Sequence, residues 1–321
     1  MTTELSDASA AQTPEIQAEI AAIREQLLNP PKAKNGGLWL IVGLVLFLLT
    51  AGERNLWDLA VILAILVIHE SGHLLGMKLF GFSDLRMFFI PFFGAAASGR
   101  KFGATSFEHA IVLLLGPLPG IVIGGALLIA ALFVPMRQLL DAGFMFTVIN
   151  AFNLIPVSPF DGGRIFERLV FNRRFWLEFL FRILAIVALV GLAFLLQAWI
   201  FGLLAFFLFA GFSIQMRRSR AGFALVAKIG HLPSNPIDLT DEQILALRDS
   251  VDQSLGNMTA NATTMATLRS QSTQEIFDRT STRFASLTAT LVCIGLWAAG
   301  LFLSVVNLVI WVLGRNVQGI N

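Results

Sequence analysis

From Phe175 to Ile214 the chain runs for 40 residues with two charges, Glu178 and Arg182. About 20 apolar residues in helical form cross a hydrocarbon core, so this tract is long enough for two spans folded back near Gln197. Shorter apolar runs cover Gly37 to Ala51, Leu56 to Phe80, Phe107 to Pro135, Gly143 to Val157 and Leu287 to Leu313. Backbone in lipid must satisfy its own hydrogen bonds, which makes each run a helix. The expected fold is an all-α multi-pass membrane protein of about seven transmembrane helices, with six as the alternative. Hydrophobic residues make up 56% of the chain and charged residues 14%, which excludes a water-soluble globule.

The charges that remain sit between the runs. Lys32 and Lys34 precede the first run and Arg54 follows it; Lys78, Arg86, Arg100 and Lys101 follow the second. Arg137 stands alone after the third, Arg164, Arg168, Arg173 and Arg174 follow the fourth, and Arg217, Arg218 and Arg220 follow the sixth. Rich and poor loops alternate, so the N-terminus is expected in the cytoplasm and the C-terminus outside, in a cell membrane, with a bacterial host the expectation. The acidic, polar start fits neither a signal peptide nor a transit peptide, so the first span is expected to direct insertion. A net charge of +2 offers nothing to nucleic acid, and the single Cys293 permits neither an intramolecular disulfide nor a cysteine metal cluster.

The expected organisation has six parts. Residues 1–36 form a polar cytoplasmic segment whose amphipathic helix starts at Thr13-Pro14, carries Ile16, Ile20, Ile23 and Leu27 on one face, and stops at Asn29-Pro30-Pro31. Residues 37–55 hold the first span, 56–174 a membrane core, and 175–216 a transmembrane hairpin. Residues 217–285 form a small cytoplasmic helical segment, opened by a capping box at Thr240 and Gln243 and followed by a second helix around Asn261 to Asp278. Residues 286–321 supply the last span and a tail.

The second apolar run contains His69-Glu70-Ser71-Gly72-His73. Residues four apart share a helix face, so both imidazoles can reach one zinc ion while Glu70 acts as general base toward water there. Ionisable side chains inside an apolar run cost at least ~2.5 kcal/mol each to insert, which marks them as functional. Catalytic zinc wants a third protein ligand. Asp161 is the candidate, at the end of Asn153-Leu-Ile-Pro156-Val-Ser-Pro159-Phe-Asp161-Gly162-Gly163, where prolines and glycines break the fourth run. If the second and fourth runs both point inward, Asp161 and the two histidines lie at similar depth, toward the cytoplasmic side.

A membrane-embedded HExxH followed by NxxPxxPxDGG resembles the site-2 protease family of intramembrane zinc metalloproteases, over about Leu56 to Arg174. The resemblance implies one zinc per chain held by His69, His73 and Asp161, Glu70 as catalytic base, and Asn153 holding the substrate backbone. It also implies transmembrane protein substrates cleaved in or near the bilayer. A PDZ or nucleotide-sensing domain, which many members carry, is not evident. Gly116-Pro117-Leu-Pro119-Gly120 resembles a family element or, equally, a kink with close helix packing through Gly116, Gly120 and Gly124. Arg86 to Arg100 is too short and interrupted to span as a helix and resembles the family's membrane-dipping β-hairpin, with a re-entrant packing loop as the alternative. An unwound substrate backbone needs new hydrogen-bond partners in hydrocarbon, and a strand edge can supply them.

Other polar residues have simpler readings. His109 reads as a satisfied interfacial histidine, His231 as a loop histidine with no partner, and Glu178 with Arg182 as an i,i+4 pair. Four histidines are too few for a di-iron desaturase. The alternative function is a catalytically idle homologue that binds membrane helices; a transporter leaves the Asp-Gly-Gly ending unexplained.

Overall fold

The computed structural model describes residues 13–29, 55–90, 94–157, 160–171 and 174–319, which fall into two compact units. Among them five helices are long and apolar enough to cross a membrane: Leu56–Leu79, Ser106–Phe133, Phe175–Leu195, Trp199–Ile229 and Leu287–Val317. The expected span over Gly37 to Ala51 lies outside the described residues, as do Pro91, Phe92, Phe93, Pro159 and Arg173.

One unit comprises residues 33–209 and 283–321. Its first described helix, α2 (Leu56–Leu79), is capped by Asn55, whose side chain accepts from the Asp58 amide. The strands β1 (Ser83–Ile90) and β2 (Gly94–Arg100) follow as an antiparallel hairpin pairing Arg86 with Ser98 and Met87 with Ala97. This is the β-hairpin that the short, interrupted segment suggested, and its register is irregular between Ser83 and Arg86, where Asp84 takes a positive φ of 51°. A capping box of Thr105 and Glu108 starts the next helix.

The run from Phe107 to Pro135 is not one unbroken helix. It forms α3 (Ser106–Leu115) and α4 (Pro117–Phe133), divided at Gly116. Proline has no N–H to continue the ladder, so Pro117 and Pro119 end one helix and open another. Glycines make the crossings close: a Cβ on Gly72 of α2 would strike the Leu115 carbonyl oxygen, and one on Gly124 would lie 2.5 Å from Thr147 Oγ1. The close-packing reading of the Gly116, Gly120 and Gly124 series is therefore realised in the fold.

The fourth run also differs from its expected bounds. Helix α5 (Arg137–Asn153) starts six residues before Gly143, because Arg137 and Asp141 are an i,i+4 pair on a helix rather than loop residues, and ends before Val157. After the break comes the short helix α6 (Asp161–Leu169). The Trp297 indole donates to the Leu154 carbonyl at 2.7 Å, and Gly162 lies against that same carbonyl. That backbone oxygen, released where α5 stops, is thereby satisfied by a helix distant in sequence.

The 40-residue tract folds back as expected: α7 (Phe175–Leu195) and α8 (Trp199–Ile229) flank Gln197, which takes a positive φ of 52°. Leu189 packs with Leu204 and Ala205 across the turn. The ion pair of Glu178 and Arg182 forms at 3.1 Å, with a partner the sequence did not suggest: Glu167 of α6, 2.5 Å from the same guanidinium. Helix α8 runs on to Ile229, past the expected limit at 216; three arginines do not stop a helix, and the first glycine able to do so with a positive φ is Gly230.

The other unit comprises residues 1–32 and 210–282. Helix α1 (Pro14–Leu28) packs through Ile20 and Leu27 on α9 (Asp241–Leu255) and α10 (Ala262–Ser281), whose buried faces supply Ile244, Leu247, Val251, Ile276 and Phe277. The two polar segments thus fold together rather than separately. The Thr240–Gln243 capping box is present, and His231 has a partner after all, donating from Nδ1 to the Thr280 carbonyl at 3.0 Å. The last helix, α11 (Leu287–Val317), belongs to the first unit, where Asn307 donates to the Ile121 carbonyl and to Thr147 Oγ1.

Candidate metal centre

Helix geometry brings His69 and His73 to one face of α2, their rings edge-on with centroids 4.8 Å apart. The break after α5 and the start of α6 deliver Asp161 to the same point. His69 Nε2 lies 3.0 Å from Asp161 Oδ2, His73 Nε2 lies 3.2 Å from it, and the two nitrogens are 3.1 Å apart. Among the described residues, these three buried side chains are the group whose ligand atoms could hold a metal ion.

The far side of each ring shows what those atoms are. Asn150 Nδ2 donates to the Phe146 carbonyl at 2.8 Å, which turns Oδ1 toward His69 Nδ1 at 2.9 Å. That oxygen can only accept, so the His69 proton sits on Nδ1. His73 Nδ1 donates in the same way to the Val112 carbonyl at 2.8 Å. Val112 is among the last four residues of α3, whose carbonyls the helix itself leaves without partners. In neutral rings both Nε2 atoms then carry lone pairs. They point at each other and at a carboxylate oxygen, an arrangement that repels unless a cation lies among them.

Distances agree with that reading. A tetrahedral zinc with bonds near 2.0 Å to nitrogen and oxygen separates its ligand atoms by about 3.3 Å. The observed edges of 3.0 to 3.2 Å are close to that value. The residues present fit a zinc ion, and all three border a cavity of about 790 Å³.

Glu70 borders the same cavity, as does Ala97 of β2, whose backbone acts on its carboxylate. Its Oε2 is buried without a hydrogen-bond partner and is available for a proton. Asn153 lines the cavity too, with Nδ2 donating to the Ile149 carbonyl at 3.1 Å. His109 lines it but stands outside the metal group, edge-on to Phe82 at 5.5 Å.

No family model matches the chain. It is similar to the zinc metalloprotease MJ0392 of Methanocaldococcus jannaschii. The two are 28% identical over 144 residues, covering 43% of this chain and 40% of that protein, so the chain spans well under two thirds of the relative's length. This distant likeness suggests a metalloprotease family, in agreement with a buried donor set able to hold zinc and with apolar helices of a membrane protein.

The structure also supplies residues that sequence reasoning passed over. Asn150 lies one turn before Asn153, and a fully buried amide inside an apolar helix is itself a signal that a partner exists. Arg164 and Arg168 reach the cavity, having been counted only as charges of a loop, and Ile200, Phe201, Leu204, Phe207 and Leu208 of α8 give it an apolar wall.

Proposed function

We propose that the protein is an intramembrane zinc metalloprotease of the site-2 protease type. The observation that carries this reading is the convergence of two Nδ1-protonated imidazoles from an apolar helix and one buried carboxylate, beside a glutamate with an unpartnered buried oxygen. His69, His73 and Asp161 would hold one zinc ion per chain. When bound, zinc would supply Lewis acidity toward a scissile carbonyl and toward water. Glu70 accepts the proton of the attacking water at Oε2 and returns it to the leaving amine.

The substrates in this proposal are transmembrane proteins. Asn153, at the end of α5 in the cavity wall, would hold the substrate backbone, and the aliphatic and aromatic wall of α8 suits the side chains of an unwound transmembrane segment. The proposed location is a cell membrane, with the N-terminus and the metal site toward the cytoplasm, supported by the alternation of basic loops.

The test is cleavage of a reporter transmembrane segment in proteoliposomes by purified protein. Wild type should release a product that a zinc chelator abolishes and added zinc restores, and Glu70→Gln should bind the same segment uncleaved. Binding without cleavage by wild type, at every zinc concentration, would favour the helix-binding homologue instead.

A further inference from the structure

We propose that Asn150 is a positioning residue that sets the metal affinity of the site by fixing the proton of His69, and that Gly120 is the seat that lets it do so. This inference rests on the metal-site reading above.

Asn150 is fully buried in α5, and both ends of its amide are used: Nδ2 on Phe146 of its own helix, Oδ1 on His69 of α2. Its orientation is therefore not free. If Oδ1 were absent, nothing at that position would hold the His69 proton on Nδ1. The other neutral tautomer would direct an N–H into the triangle of ligand atoms and withdraw one lone pair from the metal. Outer partners of this kind are typically worth 10- to 100-fold in metal affinity.

The two histidines are controlled differently. His73 is oriented by a backbone carbonyl, Val112, which no side-chain substitution removes. His69 depends on a side chain, so the encoded control of the ring protons resides in Asn150. Gly120 of α4 then has a defined task. A Cβ there would collide with Asn150 Nδ2 and lie 2.5 Å from Cγ and 2.8 Å from Oδ1, leaving the amide no room in its present place. One turn earlier, a Cβ on Gly116 would meet the His73 ring, 2.5 Å from Nε2. Gly116, at the junction that opens α4, and Gly120 within it thus lie under one metal ligand and under the partner of the other.

The experiment is zinc competition against a chromophoric chelator, on the purified full-length protein in detergent, with thermal unfolding of each metal-free variant measured in parallel. Asn150→Leu should weaken zinc binding about 10- to 100-fold. Asn150→Asp keeps an acceptor facing Nδ1 but loses the donor to Phe146, and should bind within a few-fold of wild type. Gly120→Ala should weaken binding as Asn150→Leu does, without touching any ligand. Equal loss in Asn150→Asp and Asn150→Leu would assign Asn150 to backbone support and overturn the proposal, as would wild-type affinity in Asn150→Leu. His69→Ala separates the two levels: unchanged zinc binding there would remove the metal site itself, whereas its loss beside an intact Asn150→Leu would sink only the role given to Asn150.

Discussion

Substituting Gly72 by alanine perturbs the crossing on which the metal centre depends. An added Cβ would strike the Leu115 carbonyl oxygen and lie 2.8 Å from the carbonyl carbon and 3.2 Å from Gly116 Cα. All three neighbours are backbone, so no side chain can swing aside. Ordinary contact between such atoms is about 3.5 Å or more, so α2 and α3 must part by roughly 1.5 Å. Overpacking of this sort costs about 1–3 kcal/mol. The chemistry suffers more than the fold, because His73 takes its orientation from Val112 on the displaced helix. A misplacement of about 1 Å can lower a rate about 100-fold. The assay pairs thermal unfolding in detergent with cleavage of a reporter transmembrane segment. Gly191→Ala serves as control, since a Cβ there meets nothing within 4 Å and alanine favours helix. Gly72→Ala should unfold earlier and lose most cleavage, while Gly191→Ala should match or exceed wild type in stability. Wild-type stability and rate in Gly72→Ala would refute the claim that backbone contact between these helices sets the site.

Three further outcomes are expected. Arg182→Met leaves the buried Glu178 without its cation and should destabilise the protein by about 3–5 kcal/mol, with Arg182→Met/Glu178→Leu recovering much of that; an unchanged unfolding temperature in the single variant would contradict it. Ala97→Pro removes the β2 amide that acts on the Glu70 carboxylate and should reduce cleavage at unchanged zinc content, whereas Ala97→Gly should be near neutral; equal activity of the two would show that the strand does not position the base. In a Cys293→Ala background, cysteines at Ser234 and Gln253 should be shielded from an impermeant thiol reagent in intact cells and one at Asn321 should react, with the reverse pattern inverting the proposed topology.

What the sequence disclosed was what local spacing encodes. Two histidines four apart, a fold-back at Gln197, and a capping box at Thr240 each depend on neighbours within a turn or two, and each appears in the structure. Asp161 apart, features that depend on distant partners were not legible. The pairing of Asn150 with His69 spans 81 residues, and Glu167 meets Arg182 from a different helix, 15 residues away. The break at Gly116 was visible as Gly-Pro, but its consequence, a freed Val112 carbonyl for His73, needs the crossing with α2. Boundaries failed where charge was taken for loop: Arg137 with Asp141 opens a helix, and Arg217 to Arg220 lie inside one.

The central claim is that His69, His73 and Asp161 bind one zinc ion while Glu70 acts on the proton. Elemental analysis of purified wild type and four variants, run beside the cleavage assay, tests it most directly. About one zinc per chain is predicted for wild type and for Glu70→Gln, the latter inactive, with loss of metal in His69→Ala, His73→Ala and Asp161→Ala. Full zinc content and full cleavage in Asp161→Ala, or an active Glu70→Gln, would contradict it.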